Sequence, residues 1–123
     1  MSTIEVTQEN FEATITENPI VLLDFWAEWC GPCRQFGPIY EKASETNTDI
    51  VFGKIDTDAE QELSQGAQIS SIPTLMAFRD GIAIFRQAGA LPGPALDDLI
   101  RQIRELDMDQ VRADIAAANG NPV

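Results

Sequence analysis

The stretch Trp29-Cys30-Gly31-Pro32-Cys33 (WCGPC) holds both cysteines of a 123-residue chain. It follows closely on an apolar run, IVLLDFWA at 20–27, interrupted by one acid, Asp24. Such a run suits a strand buried on both faces of a sheet. From Cys33 a helix is expected to about Thr46, with Phe36, Ile39, Tyr40 and Ala43 on one side. Pro38 inside it predicts a kink. Gly31 permits close backbone approach, and Pro32 suits a first helical turn, where its missing N–H would have no partner anyway. Three readings of the cysteines compete: a redox pair, two of four ligands to a metal, or buried thiols close together by chance.

Composition weakens the metal. A structural zinc site takes four Cys or His ligands, and the chain has two cysteines and no histidine. Only a metal shared between two chains is left. Catalysis by a Cys–His pair fails for the same reason. Nor is a crosslink needed for stability. A bridge across so short a loop constrains little of the unfolded chain, and a sequence 44% hydrophobic and 23% charged can build its own core. The redox reading has a positive physical basis. Cys30 would face the unpaired N–H groups and positive dipole end of the helix, which favour a thiolate. Cys33, one turn deeper, is expected to be more shielded, so one sulfur is poised to attack and the other to resolve. Cysteines at this spacing near a βαβ pattern form a redox signature.

Outward from this centre, TIEV at 3–6 is β-prone, and Thr7 is expected to cap a helix over about 8–17 carrying Phe11 and Ile15. Asn18-Pro19 ends it. DIVFGKIDTD at 49–58 reads as a second buried strand and AEQELSQGA at 59–67 as a short helix closing near Gly66. Two strands joined at Arg79-Asp80-Gly81 form a hairpin. A final helix begins near 92–94, with Leu96, Leu99, Ile100, Ile103 and Leu106 as its apolar stripe. The order βαβαβαββα predicts an α/β fold with a mixed sheet of about five strands and helices on both faces. Residues 1–106 are read as one domain and 107–123 as an extension. Asp107 and Gln110 start a helical stretch in the extension, and AAANGNPV at 116–123 is expected to fray.

Net charge is -12 and the sequence pI about 4.1. Such a surface repels phosphate backbones and anionic lipid, which disfavours nucleic acid and membrane surfaces as partners. No basic and apolar leader is visible at the N-terminus, so a soluble cytoplasmic protein is expected, in a compartment where dithiols are mostly reduced.

The sequence resembles the thioredoxin family over about residues 4–106. DFWAEWCGPC resembles its active-site segment, SIPTL at 71–75 its proline loop, and GKIDTD and AGAL two further landmarks in compatible order. The resemblance implies Cys30 as nucleophile and Cys33 as resolving thiol, closing to a Cys30–Cys33 disulfide. It implies Asp24 as the buried acid beneath them, where desolvation should raise its pKa. The alternative for Asp24 is an acid held by local hydrogen bonds or at a bulge. Lys54 is similar to the lysine near that acid, its alternative being an ordinary strand-end lysine. Ile72-Pro73 matches a cis-proline loop that pairs its backbone with an extended substrate. Trp29, Gly31, Pro32, Ile72, Pro73, Ala88, Gly89 and Ala90 would then make the substrate surface. Trp26 could be core alone. The resemblance further implies a monomeric protein-disulfide reductase serving redox homeostasis, with oxidised proteins as substrates, a flavin-containing thioredoxin reductase as donor, and no bound cofactor or metal. An oxidase or isomerase on the same fold, and a binding module with an incidental dithiol, are the rival readings. Arg34, Gly37 and Ser71 depart from the commoner family residues (lysine, alanine and glycine), and nothing carries over to the extension.

Overall fold

The computed structural model describes residues 2–119. In chain order its elements are β1 (Thr3–Glu5), α1 (Phe11–Thr16), β2 (Ile20–Trp26), α2 (Gly31–Thr46), β3 (Val51–Asp56), α3 (Gln61–Gly66), β4 (Thr74–Arg79), β5 (Ile82–Ala88), α4 (Gly93–Arg104) and α5 (Met108–Ala118). The strands form one mixed sheet in the order β1-β3-β2-β4-β5. β1, β3 and β2 run parallel, whereas β4 is antiparallel to β2 and to β5. Reversal at β4 brings the chain entering β4 to the same sheet end as the chain leaving β2.

Six of the seven β2 residues are buried, as expected of a strand covered on both faces. Because side chains alternate along a strand, β2 feeds two cores. Ile20 and Leu22 pack with Phe52, Leu75 and Ala77 beneath Phe36 and Tyr40 of α2 and Leu96, Ile100 and Ile103 of α4. Tyr40 anchors this side, its ring centroid 5.2 Å from Phe52 and 5.6 Å from Phe36. Val21, Leu23 and Phe25 pack on the other side with Ile55, Leu63 and Phe78, and with Phe11 and Ile15 of α1. By the same alternation Asp24 belongs to the α2 face. The β4–β5 turn has two consecutive residues at positive φ, Asp80 at 54° and Gly81 at 80°, as a tight hairpin requires.

Several element boundaries differ from the sequence reading. α1 begins at Phe11 rather than near residue 8, and Thr7 does not cap it. Asn10 intervenes: its side chain accepts from the Thr7 amide (2.8 Å) and donates to the Glu5 carbonyl (3.1 Å), holding 8–10 in a turn. α2 starts two residues earlier than expected, at Gly31, because Cys30 serves as its N-cap. α3 is shorter than 59–67, since the Asp56 carboxylate accepts the Asp58 amide at 2.9 Å and sets a turn there. Leu106 lies beyond α4, where the Arg79 guanidinium donates to the Ile103 and Leu106 carbonyls (2.7 and 3.4 Å). α5 is capped by Asp107, which accepts the Gln110 amide at 3.2 Å. It continues through Ala116–Ala118, three residues read as tail; Gly120–Val123 lie outside the described residues.

Candidate active site

Where β2 ends, the chain turns directly into α2, and the two cysteines occupy that junction. Cys30 is extended (φ -85°, ψ 114°), and its Sγ accepts the Cys33 amide at 3.3 Å. A sulfur thus caps a helix whose first amides would otherwise lack partners. Cys30 and Cys33 are joined as a disulfide, Cα atoms 5.2 Å apart. The expected difference in shielding is not found: Cys30 is 4% exposed and Cys33 5%. Ala27 packs against both, with Trp26 and Ile72 at the edge, so Cys30 is covered as well as Cys33. Their asymmetry lies in contacts. Besides the Cys33 amide, Cys30 Sγ meets the Ile72 carbonyl oxygen at 3.6 Å.

Asp24 sits two residues before Trp26 in β2, in register with Lys54 of β3. It is 1% exposed, and neither carboxyl oxygen has a hydrogen-bond partner among the described residues. No ladder irregularity occurs at its position; the register shift lies at Ala77/Phe78. Burial pushes its pKa from 3.8 up to about 7, while the Lys54 charge pulls more weakly the other way. Lys54 Nζ lies 5.0 Å from the Trp26 ring centroid, a cation–π arrangement. Trp26 is therefore more than packing, although its Nε1 is buried without a partner. Gly37 of α2 lies over this ammonium, and a Cβ there would stand 4.0 Å from Nζ, an ordinary contact.

The chain entering β4 faces the dithiol. Its Ile72–Pro73 bond is cis. Pro73 is buried, and its carbonyl accepts the amide of Gly89 (φ 102°) at 2.8 Å. Ala88, in register with Thr74, Gly89 and Ala90 are all exposed beside this loop. A groove of about 320 Å³ runs between Trp29, Ile69 and Ile72 and the hydroxyl-bearing Thr57, Ser64, Ser70 and Ser71. Ala88, Gly89 and Ala90 do not line it. Trp29 is 67% exposed, and its Nε1 donates to Asp58 Oδ2 at 3.0 Å. Gly31 and Pro32 form the first turn of α2. The dithiol, Trp29 and the Ile72-Pro73 loop thus come together at one end of the sheet, with Asp24 and Lys54 inside it.

Sequence reasoning missed the Asp58 contact to Trp29, although Asp58 lies in the GKIDTD landmark. It also read Tyr40 as apolar stripe alone. The Tyr40 hydroxyl donates to the Gly53 carbonyl at 2.8 Å. Burial, with the nearby Asp24 charge, holds its phenol well above the usual range. Among the described residues no cluster of His, Cys, Asp or Glu could hold a metal, and no helix is long and apolar enough to cross a membrane.

The family model Thioredoxin matches residues 2–104. A Streptomyces coelicolor chain that carries the thioredoxin name is 63% identical over 115 residues, 94% of this chain and 86% of its own length. The thioredoxin of Mycobacterium tuberculosis is 42% identical over 97 residues, 77% of this chain and 84% of its own. Among solved structures, a thioredoxin mutant from Halobacterium salinarum superposes with a TM-score of 0.78 at 35% identity, covering 86% of this chain and 95% of the other. A sheet built around β2, a disulfide capping the following helix and these similarities point one way: the chain belongs to the thioredoxin family, and its chemistry is thiol–disulfide exchange at Cys30 and Cys33.

Proposed function

We propose that the chain reduces disulfides in other proteins, with Cys30 as nucleophile, Cys33 as resolving thiol and Asp24 as proton acceptor. In the reduced state the Cys30 thiolate attacks one sulfur of the target disulfide. A mixed disulfide forms, and the other target sulfur leaves as a thiolate. Cys33 gives its proton to the Asp24 carboxylate, through water, and attacks Cys30 Sγ. That step expels the second target thiolate and closes the Cys30–Cys33 bond. The target gains two electrons and, on protonation of its thiolates, two protons; the chain loses the same. Lys54 steadies the ionised Asp24. The Ile72-Pro73 loop, with Trp29, Gly31, Pro32, Ala88, Gly89 and Ala90, receives an extended target segment through backbone pairing.

The observation carrying this reading is the Cys30 sulfur held between the Cys33 amide and the Ile72 carbonyl, with a buried acid whose pKa is about 7 in the strand beneath. A group that titrates near neutral pH both accepts and returns a proton readily. Electrons for the next turnover come from a flavin-containing thioredoxin reductase, and the chain works as a cytoplasmic monomer with no resident cofactor. Incubating the reduced protein with insulin tests the proposal by precipitation of the freed chains. Insulin left intact, or a Cys30→Ser variant with full activity, refutes it. A reduction potential well above the cytosolic poise would instead favour the oxidant relatives.

A further inference from the structure

Arg86, on the outer strand β5, donates from both terminal nitrogens to backbone carbonyls far from it in sequence: Ala67 at 2.6 Å and Gln68 at 2.5 Å. Those carbonyls belong to the cap of α3 and the residue after it, and α3 has no basic residue of its own in its last turn. Cations are favoured at that end of a helix, where carbonyls lack amide partners. Gln68 adopts φ 58°, a left-handed conformation that side chains other than glycine rarely take. The chain leaves Gln68 directly into the segment 69–73, which carries the Ile72 carbonyl to within 3.6 Å of Cys30 Sγ. Three residues beyond Arg86, the Gly89 amide holds the far end of this segment through the Pro73 carbonyl at 2.8 Å. β5 and the glycine that follows it therefore grip the loop at both ends, once through a side chain and once through backbone. An exposed arginine serving only solubility would not commit both arms of its fork to carbonyls.

We propose that Arg86 is a positioning residue: it fixes the 69–73 loop against the dithiol so that an extended target segment meets that loop already formed. This rests on the protein-disulfide reading above. With the guanidinium gone, the loop keeps its Gly89 anchor and loses the other. Binding an extended target must then also order the loop. Reaction with a small disulfide, which needs no backbone pairing, is untouched.

The test compares rate constants of the reduced protein, with intact Cys30 and Cys33, toward insulin and toward 5,5′-dithiobis(2-nitrobenzoate). Arg86→Met is expected to slow the insulin reaction about three- to tenfold, the equivalent of about one net hydrogen bond. The small disulfide should react within about twofold of the parent rate, well inside a factor that a single bond controls. Arg86→Lys, with one ammonium for two carbonyls, should fall between, and decides the matter if Arg86→Met does not fold. Hydrogen exchange supplies a reading independent of activity. The Ile69 amide, bonded to Ser64 O at 3.0 Å, should exchange faster in Arg86→Met while β2 and β3 amides do not change. Equal rates toward insulin, or a parallel loss toward both disulfides, overturns the proposal. Unchanged Ile69 exchange overturns it too, even if the parent protein proves inactive on insulin.

Discussion

Replacing Asp24 by Asn removes a titration and leaves the shape of the side chain nearly intact, so its effect on stability should depend strongly on pH. The folded-state pKa of about 7 against 3.8 is a rise of some three pH units, worth roughly 4 kcal/mol at 1.36 kcal/mol per unit. Below pH 3.8 the carboxyl is protonated whether the chain is folded or not, and it costs nothing. As pH climbs toward 7 the unfolded chain releases the proton while the folded chain keeps it, and stability falls. Above about 7 the folded chain ionises as well, and the cost levels off at its full value. Between pH 5 and pH 8 the parent should therefore lose about 2–3 kcal/mol that Asp24→Asn does not lose. Guanidinium unfolding of both oxidised proteins at pH 5, 6, 7 and 8 measures this. The difference between the two proteins isolates Asp24, because the other carboxylates are common to both. A difference that stays flat across that range would refute the reasoning, whatever its size.

Gly53→Ala should destabilise by about 1–3 kcal/mol through overpacking. Its Cβ would stand 2.6 Å from Val6 Cγ2 and 2.9 Å from Leu23 Cδ2, both fully buried; thermal unfolding unchanged from the parent would contradict this. Gly37→Ala should stabilise by about 0.5 kcal/mol, because a glycine inside a helix is costly and the nearest atom to its Cβ is 4.0 Å away. A loss in urea midpoint would show that the residue ahead of Pro38 obeys another constraint. Arg112→Ala, which breaks surface pairs to the partly exposed Asp80 (3.1 Å) and the fully exposed Asp109 (3.2 Å), should cost less than about 1 kcal/mol in chemical denaturation.

Much of the fold is legible because its signals are local. β2 announces itself as an apolar run broken only by Asp24, and the hairpin as Asp80-Gly81 between two largely apolar segments. What was misplaced depended on side chains acting at a distance along the backbone. Asn10 ties the Thr7 amide and the Glu5 carbonyl into a turn, which no helical period records. Gly31 and Pro32 suit a first turn in the sequence, but the start at Gly31 depends on Cys30 capping the helix through sulfur, which no residue pattern records. Ala116–Ala118 read as the start of a tail because the breakers Asn119, Gly120, Asn121 and Pro122 follow them directly in the sequence. At the site, the dithiol and the buried acid stand out in sequence, since an acid inside an apolar strand is conspicuous. Arg86 carries no such mark. An arginine on an outer strand has many possible neighbours, and nothing local says that Gln68, rather than a glycine, takes the left-handed turn it steadies.

The antiparallel placement of β4 against β2 has a consequence in time as well as in space. Cys30 and the Ile72 carbonyl are 42 residues apart, and they meet only because β4 returns along β2. During synthesis the dithiol emerges first, and contacts this distant in sequence form late. A chain that has made its cysteines but not yet paired β4 carries two thiols in the right spacing with nothing facing them. Selective exchange is therefore a property that this protein acquires only with completion of its sheet, and a premature stop before β4 would leave a dithiol without its partner loop.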